Sequence, residues 1–156
     1  MDIRTLGADD WATWRDVRLR ALAEAPEAFG SKLADWQGVN DREDRWRDRF
    51  DNVAFNAVAA ADGRVVGTVG AMHAGDGSVE LISMWVAPEV RGAGVGETLI
   101  DAVMDWAESE SVDTVMLAVR RSNAHAIALY ERAGFRFAEA NPADLEEDLM
   151  VCVVRE

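Results

Sequence analysis

Between residues 91 and 96 the chain reads Arg91-Gly92-Ala93-Gly94-Val95-Gly96, with glycine in every second position. The run before it, Leu81-Ile82-Ser83-Met84-Trp85-Val86, is apolar and of strand length. The run after it, Glu97 to Trp106, has helical periodicity. Glycines and one arginine therefore stand where a strand hands over to a helix. Without a Cβ, glycine lets the backbone approach a ligand closely. The first N–H groups of the helix are unpaired and carry partial positive charge, an arrangement that holds a phosphate or pyrophosphate. Arg91 adds a cation with a fork of donors.

Two common phosphate-binding turns do not fit. A P-loop needs G-x-x-x-x-G-K-[ST], but Glu97 and Thr98 follow Gly96 and no lysine is there. A dinucleotide fingerprint needs G-x-G-x-x-G directly after a strand, whereas here Pro88-Glu89-Val90-Arg91 intervenes before glycines spaced by two. The order strand, V-x-P, R-x-x-G-x-G, helix resembles the acetyl-CoA site of the GCN5-related N-acetyltransferase (GNAT) superfamily. A second block, Asn123-Ala124-His125-Ala126-Ile127-Ala128-Leu129-Tyr130-Glu131-Arg132-Ala133-Gly134-Phe135, is similar to that family's N-x-x-A-x-x-L-Y-x-[KR]-x-G-F. The resemblance is well marked from about Glu80 to Phe135 and diffuse elsewhere.

At 156 residues the chain suits one domain, 1–156, able to bury about 70 % of its unfolded surface without staples. Its single cysteine, Cys152, excludes an internal disulfide and fits a cytoplasmic location. Cys152 sits in an apolar run and reads as a small buried hydrophobe rather than a nucleophile. The N-terminus lacks the pattern of a signal peptide, and no apolar run is long enough to span a membrane. Net charge is −13, with Lys32 the one lysine. That balance argues against nucleic acid, whose binding rests on neutralising phosphates. No His, Cys or carboxylate cluster has metal-ligand spacing.

Along the chain, Ile3–Leu6 reads as a strand, and Asp9 or Asp10 as the cap of a helix to about Glu24. Residues 26–39 read as irregular and 41–51 as a charged helix anchored by Trp46 and Phe50. Strands at 53–60, 64–73 and 78–86 are joined by turns at Asp62-Gly63 and Asp76-Gly77. A helix from Gly94 to about Glu110, a strand at 114–119, a helix at 123–133 closed by Gly134, and strands at 135–139 and 149–155 complete the order. Hairpins followed by alternating strands and helices indicate an α/β (α+β) fold with a mixed, mostly antiparallel sheet of about seven strands and about four helices. The resemblance implies a V-shaped splay between the fourth and fifth strands, with the cofactor arm in the gap.

Acetylating an amine requires removing a proton from an ammonium of pKa about 10.4 and returning one to the departing thiolate. Glu80 opens the strand leading to the glycine loop, and its spacing of eleven positions to Arg91 resembles that of the catalytic glutamates of histone-acetylating family members; this makes it the candidate base, or alternatively a carboxylate that only binds the acceptor's ammonium. The resemblance makes Tyr130 the general acid, since a phenol stays protonated at neutral pH. It also places acetyl-CoA against Met84, Trp85, Val86, Arg91, Gly92, Ala93, Gly94, Val95, Gly96, Asn123, Ala126, Tyr130 and Arg132. Met84 and Val86 would act through backbone groups, Met84 towards the thioester carbonyl and Val86 towards pantetheine, beside a local bulge. Arg120 and Arg121 are weaker candidates for the adenosine phosphates. In the family the region of Phe29 and Trp36 walls the acceptor, and with Glu24, Glu27, Asp35 and Glu80 it is expected to receive a cationic amine. A homodimer is a family habit and enters only as such.

The leading expectation is acetyl-CoA-dependent N-acetylation, by direct transfer, of a small-molecule or peptide amine. A catalytically weak acyl-CoA-binding or sensing module is the alternative, against which Tyr130 and Glu80 argue. An acetylating toxin acting on aminoacyl-tRNA is disfavoured by the acidic charge.

Overall fold

The computed structural model describes residues 1–29 and 32–154. Seven strands form one sheet in the order β1-β2-β3-β4-β5-β7-β6. They are β1 (Asp2–Thr5), β2 (Phe55–Ala61), β3 (Arg64–His73), β4 (Val79–Val86), β5 (Thr114–Arg120), β6 (Arg136–Ala140) and β7 (Glu147–Val153). Four α-helices, α1 (Trp11–Glu24), α2 (Glu43–Asn52), α3 (Val95–Ser109) and α4 (Ala124–Arg132), cover its faces. Every neighbouring pair is antiparallel except β4 and β5, which run parallel.

The β2–β3 hairpin turns on Asp62 and Gly63, both with positive φ (52° and 76°), the turn that suits the twist of paired strands. Side chains then alternate between faces. A Cβ at Gly67 would meet Leu99 and Val95 of α3 at 2.9 and 3.2 Å, whereas one at Gly70 would collide with Arg49 of α2. So α3 packs on one face and α2 on the other. Leu129 of α4 packs on Gly96, which puts α4 beside α3. Val95, Leu99, Ile100 and Val103 fill the α3 side of the core, and Trp14, Val17, Ala21, Leu22 and Trp46 fill the α1–α2 side.

Two features of β4 shape the site. It pairs with β5 at only two rungs, Val79↔Val115 and Glu80↔Met116, after which the strands part. Further along, the β3–β4 register slips between the pairs Thr68↔Trp85 and Gly70↔Ile82. Ser83 takes the extra position with φ 57°, and its carbonyl accepts from Thr68 Oγ1 at 2.7 Å. A non-glycine residue in the left-handed region marks stored strain, of the kind bulges near functional sites carry.

Local departures from the sequence expectations have clear causes. Asp10 does not cap α1 with its side chain; its Oδ2 accepts from Gly7 N–H at 2.8 Å. The charged helix starts at Glu43 rather than Asp41, because Asp41 is drawn away to Arg15 Nε (2.9 Å) and Trp46 Nε1 (2.8 Å). Strand β2 starts at Phe55 rather than Val53, whose N–H still closes α2 onto the Arg49 carbonyl. Residues 26–39 contain three short 3-10 turns among the described residues, with positions 30 and 31 outside them. The expected end of the last strand at Arg155 also lies outside the described residues.

Candidate active site

The parting of β4 and β5 opens a groove of about 1020 Å³. One wall is the end of β4 (Met84, Trp85, Val86) and the start of α3 (Arg91, Gly92, Gly94, Val95, Gly96, Glu97). The opposite wall is the end of β5 and α4, with Asn123, Ala126, Leu129, Tyr130 and Arg132. The segment Glu24–Phe29 closes one side. Of the expected cofactor residues, Ala93 alone does not line the groove.

At the α3 end, Gly92 and Gly94 have φ of 85° and 84°, and a Cβ on either would meet nothing within 4 Å. Both are thus required by backbone conformation, and both leave open space in front of the peptide. The first helical hydrogen bond runs from Thr98 N–H to the Gly94 carbonyl, so Val95, Gly96 and Glu97 keep N–H groups without intrahelical partners. Gly96 has another reason to be glycine: a Cβ there would sit 2.9 Å from Leu129 Cδ2. It sets the α3–α4 contact as much as any ligand approach. The arrangement fits a pyrophosphate, since open glycines and free amides converge at a helix N-terminus.

Arg91 is already engaged. Its Nε donates to the Val86 carbonyl at 3.1 Å and its Nη2 to Glu24 Oε1 at 2.7 Å. Glu24 also accepts from Trp85 Nε1 at 3.1 Å. This link from α1 to the glycine loop has no signature in the sequence, because it joins residues far apart in the chain. Arg132 pairs with Glu97 at 3.2 Å, and Arg120 with Glu146 at 2.6 Å. Arg121 pairs with Asp148 at 3.1 Å and does not line the groove. Asn123 Oδ1 accepts from Ala126 N–H at 3.1 Å, so it does cap α4, leaving its amide N–H groups for a ligand.

Tyr130 is buried, yet lines the groove. Its ring packs edge-on against Phe135 at 5.9 Å between centroids. Among the described residues no hydrogen bond acts on its hydroxyl, and desolvation alone shifts it. Burial pushes its pKa well above that of free tyrosine, so the phenol stays protonated. Glu80 lies at the last paired rung before the strands part, on the α1–α2 face with Ile82 and Gly70. It is half-buried and does not line the groove itself. Desolvation, and then the nearby Glu147 carboxylate, raise its pKa. Burial likewise raises the Cys152 thiol, which disfavours the thiolate.

Of the two aromatics expected to wall the acceptor, one lines this groove and the other does not. Phe29 lines the groove, with Arg18 Cζ 4.4 Å from its ring centre. Trp36 does not reach the groove; it packs on Trp46 at 4.7 Å and lines a second pocket. Glu24 is taken by Arg91 and Trp85, and so does not stand free for a cation. Among the described residues, no helix is long and apolar enough to cross a membrane, and no group of three or more His, Cys, Asp or Glu side chains is placed to hold a metal ion.

The chain resembles solved acetyltransferase structures along nearly its whole length. The PaiA N-acetyltransferase of Thermoplasma acidophilum, solved with coenzyme A, superposes with a TM-score of 0.77 at 17 % identity, covering 97 % of this chain and 98 % of that one. YncA of Salmonella typhimurium, a putative acetyltransferase solved with acetyl-CoA, gives 0.77 at 21 % identity, covering 100 % and 95 %. In sequence, the mycothiol acetyltransferase of Streptomyces griseus subsp. griseus is 34 % identical over 137 residues, which is 86 % of this chain and 42 % of that protein. The mycothiol acetyltransferase of Clavibacter michiganensis subsp. michiganensis is 34 % identical over 132 residues, 84 % of this chain and 41 % of that protein. The chain thus spans well under half the length of these curated relatives. Residues 14–135 match the acetyltransferase (GNAT) family as a whole, and the chain belongs to that family.

Proposed function

We propose that this protein is an N-acetyltransferase that moves an acetyl group from acetyl-CoA directly onto a primary amine of a small molecule or peptide. One juxtaposition carries the reading: the glycine cradle at the start of α3, the bulged end of β4 and Tyr130 all line one groove. Bound acetyl-CoA supplies an activated thioester. The free N–H groups of Val95, Gly96 and Glu97 hold its pyrophosphate. The edge of β4 left unpaired beyond Glu80 offers backbone donors and acceptors to an extended arm, much as an added strand would use them. Ser83 sets the angle at which Met84 and its peptide N–H enter the groove.

Glu80 accepts the proton that the incoming ammonium must shed, and its raised pKa brings it closer to the operating pH. Tyr130 holds a proton at Oη for the leaving sulfur. Its burial keeps the phenol protonated, so a proton is at hand for the departing thiolate, and the phenolate left behind is reprotonated from solvent.

The test is thiol release from acetyl-CoA across a panel of polyamines, aminoglycosides, amino acids, peptides and the substrate of mycothiol acetyltransferases. Release with one class establishes the activity and names the acceptor. Acetyl-CoA binding without release from any amine would leave a sensing module as the better reading. Failure to bind acetyl-CoA would overturn the assignment of the glycine cradle.

A further inference from the structure

A second pocket, of about 340 Å³, lies on the α1–α2 face, lined by Trp14, Arg18, Trp36, Trp46, Arg49 and Val53 among others. Among the described residues its two inner cations have no anion partner. Arg18 is 8 % exposed, and its Nη1 is buried without a hydrogen-bond partner. Arg49 Nη2 is buried and equally unpartnered. Both guanidinium groups lie by the Trp14 ring, at 5.8 and 4.3 Å, and Arg18 also sits by the ring of Phe29. Arg49 is held by its Nε, which donates to Asn56 Oδ1 at 2.8 Å, and Asn56 is in turn fixed by donating to the Val53 carbonyl at 3.0 Å. The third cation, Arg45, is already engaged through the Asp35 and Asn40 carbonyls. Asp48, on the rim, is exposed and pairs with neither inner arginine among the described residues.

Desolvation pulls the Arg18 guanidinium down to about 10. Desolvation and then repulsion from Arg18 take Arg49 to about 9. Two adjacent, desolvated, unpaired guanidinium groups are costly to a fold. They are also the preferred bidentate partners of a carboxylate.

Their position gives the pocket a use. A Cβ at Gly70 would collide with Arg49 Nη2, so β3 leaves room for this guanidinium. Gly70 pairs with Ile82, and two residues along, on the same face, Met72 pairs with Glu80. That is roughly 7 Å of strand. On the other side, Phe29 is shared between Arg18 and the groove. Resting on the acetyltransferase reading, we infer that the acceptor is a small amine that also carries a carboxylate, bound by Arg18 and Arg49 while its amine faces Glu80 and the β4 bulge.

The test compares free amino acids with their carboxamides and decarboxylated amines. In thiol release, kcat/KM should favour the carboxylate form by at least about tenfold. In thermal melts without acetyl-CoA, the amino acids should raise Tm and the carboxamides should not. Arg18→Met and Arg49→Met should abolish both preferences. Arg18→Met, which removes an unpaired buried charge, should hold or raise the ligand-free Tm, whereas Arg49→Met also strips the buried Asn56 Oδ1 of its donor and should lower it. Asn56→Ala should weaken the preference by mislaying Arg49. Equal or better use of the carboxamide or decarboxylated amine, with thiol release intact, would overturn this inference and leave the acetyltransferase reading standing. If no amine releases thiol, the melts decide: a carboxylate-specific shift lost in the variants supports the subsite, and no shift overturns it.

Discussion

Removing the Tyr130 hydroxyl separates chemistry from packing more cleanly than any other change in this protein. Tyr130→Phe keeps the ring that packs 5.9 Å from Phe135 and leaves no cavity. Desolvation alone acts on the hydroxyl it deletes, with no hydrogen bond among the described residues. Deleting such a group forfeits no intramolecular bond, so stability should change by less than about 1 kcal/mol, or about 2–4 °C in Tm for a domain of this size. The proton that the hydroxyl carries is another matter. A positioned general acid contributes about 10²–10⁴-fold, and kcat should fall by that much. Acetyl-CoA affinity, which the proposal assigns mainly to backbone amides at α3, should hold within a few-fold. The pH profile gives a third readout. Because burial raises the phenol above its ordinary value of 10.0, the wild-type enzyme should show no loss of activity from this group near that pH. Steady-state thiol release from pH 6 to 10.5, with melts on the same samples, covers all three. An unchanged kcat would place the acid elsewhere, and a large fall in Tm would mean that the hydroxyl holds the fold together instead.

Glu80→Gln should remove the acidic limb of the kcat/KM profile. In the wild-type enzyme that limb should lie above the ordinary carboxyl range, because desolvation and then Glu147 raise the Glu80 pKa. The sign for stability is opposite to the usual carboxylate case: the folded state holds this proton more tightly, so stability falls as pH rises through the interval above 4.5, and the glutamine variant should lack that fall. Gly67→Ala would press on Leu99 Cδ1 at 2.9 Å and the Trp85 carbonyl at 3.0 Å. The backbone contact cannot rotate away, so a net loss of about 1–2 kcal/mol, or about 3–8 °C in Tm, is expected, and an unchanged melt would refute the close approach of β3 to α3. Asp41 is held down to about 2, first by Arg15 and then by Trp46. Its stabilisation is present above 3.8 and lost towards 2, so Asp41→Asn should lie below wild type in urea titrations at neutral pH and converge with it in acid.

The parts of the site legible in the sequence are those built from local chemistry. Positive-φ glycines, a strand-to-helix handover and an asparagine cap are decided within a few residues, and the α3 cradle and α4 cap lie where those signals put them. The sequence places the bulge within Met84–Val86, and it is centred on Ser83, just before that stretch. What the sequence hid are pairings between distant segments: Glu24 with Arg91, and Arg18 beside Arg49. A signal for the arginines existed all the same. Trp14, Val17, Arg18, Ala21 and Leu22 share one stripe of α1, and Trp46, Arg49, Phe50 and Val53 follow the same spacing on α2. An arginine in the middle of an apolar stripe is out of place unless something meets it. Trp36 is the reverse case: an aromatic in an irregular segment points to the groove wall, but its ring packs on Trp46 and Arg45 and lines the second pocket instead.

The charge of the whole molecule and the charge of its sites run in opposite directions, and this bears on what the site selects. A net −13 repels anions at long range, so an acidic surface alone would predict a cationic acceptor. Selection, however, happens after desolvation, where a few groups outweigh the distant field. Among the groups on the groove and the adjoining pocket, Glu24 is cancelled by Arg91, while Arg18 and Arg49 stand without anions. Glu80, its pKa raised by desolvation and by the neighbouring Glu147, thus shares the α1–α2 face with two cations that have no anion among the described residues. That balance suits a ligand carrying both an amine and a carboxylate better than a polyamine, which would bring further positive charge to two guanidinium groups already repelling each other.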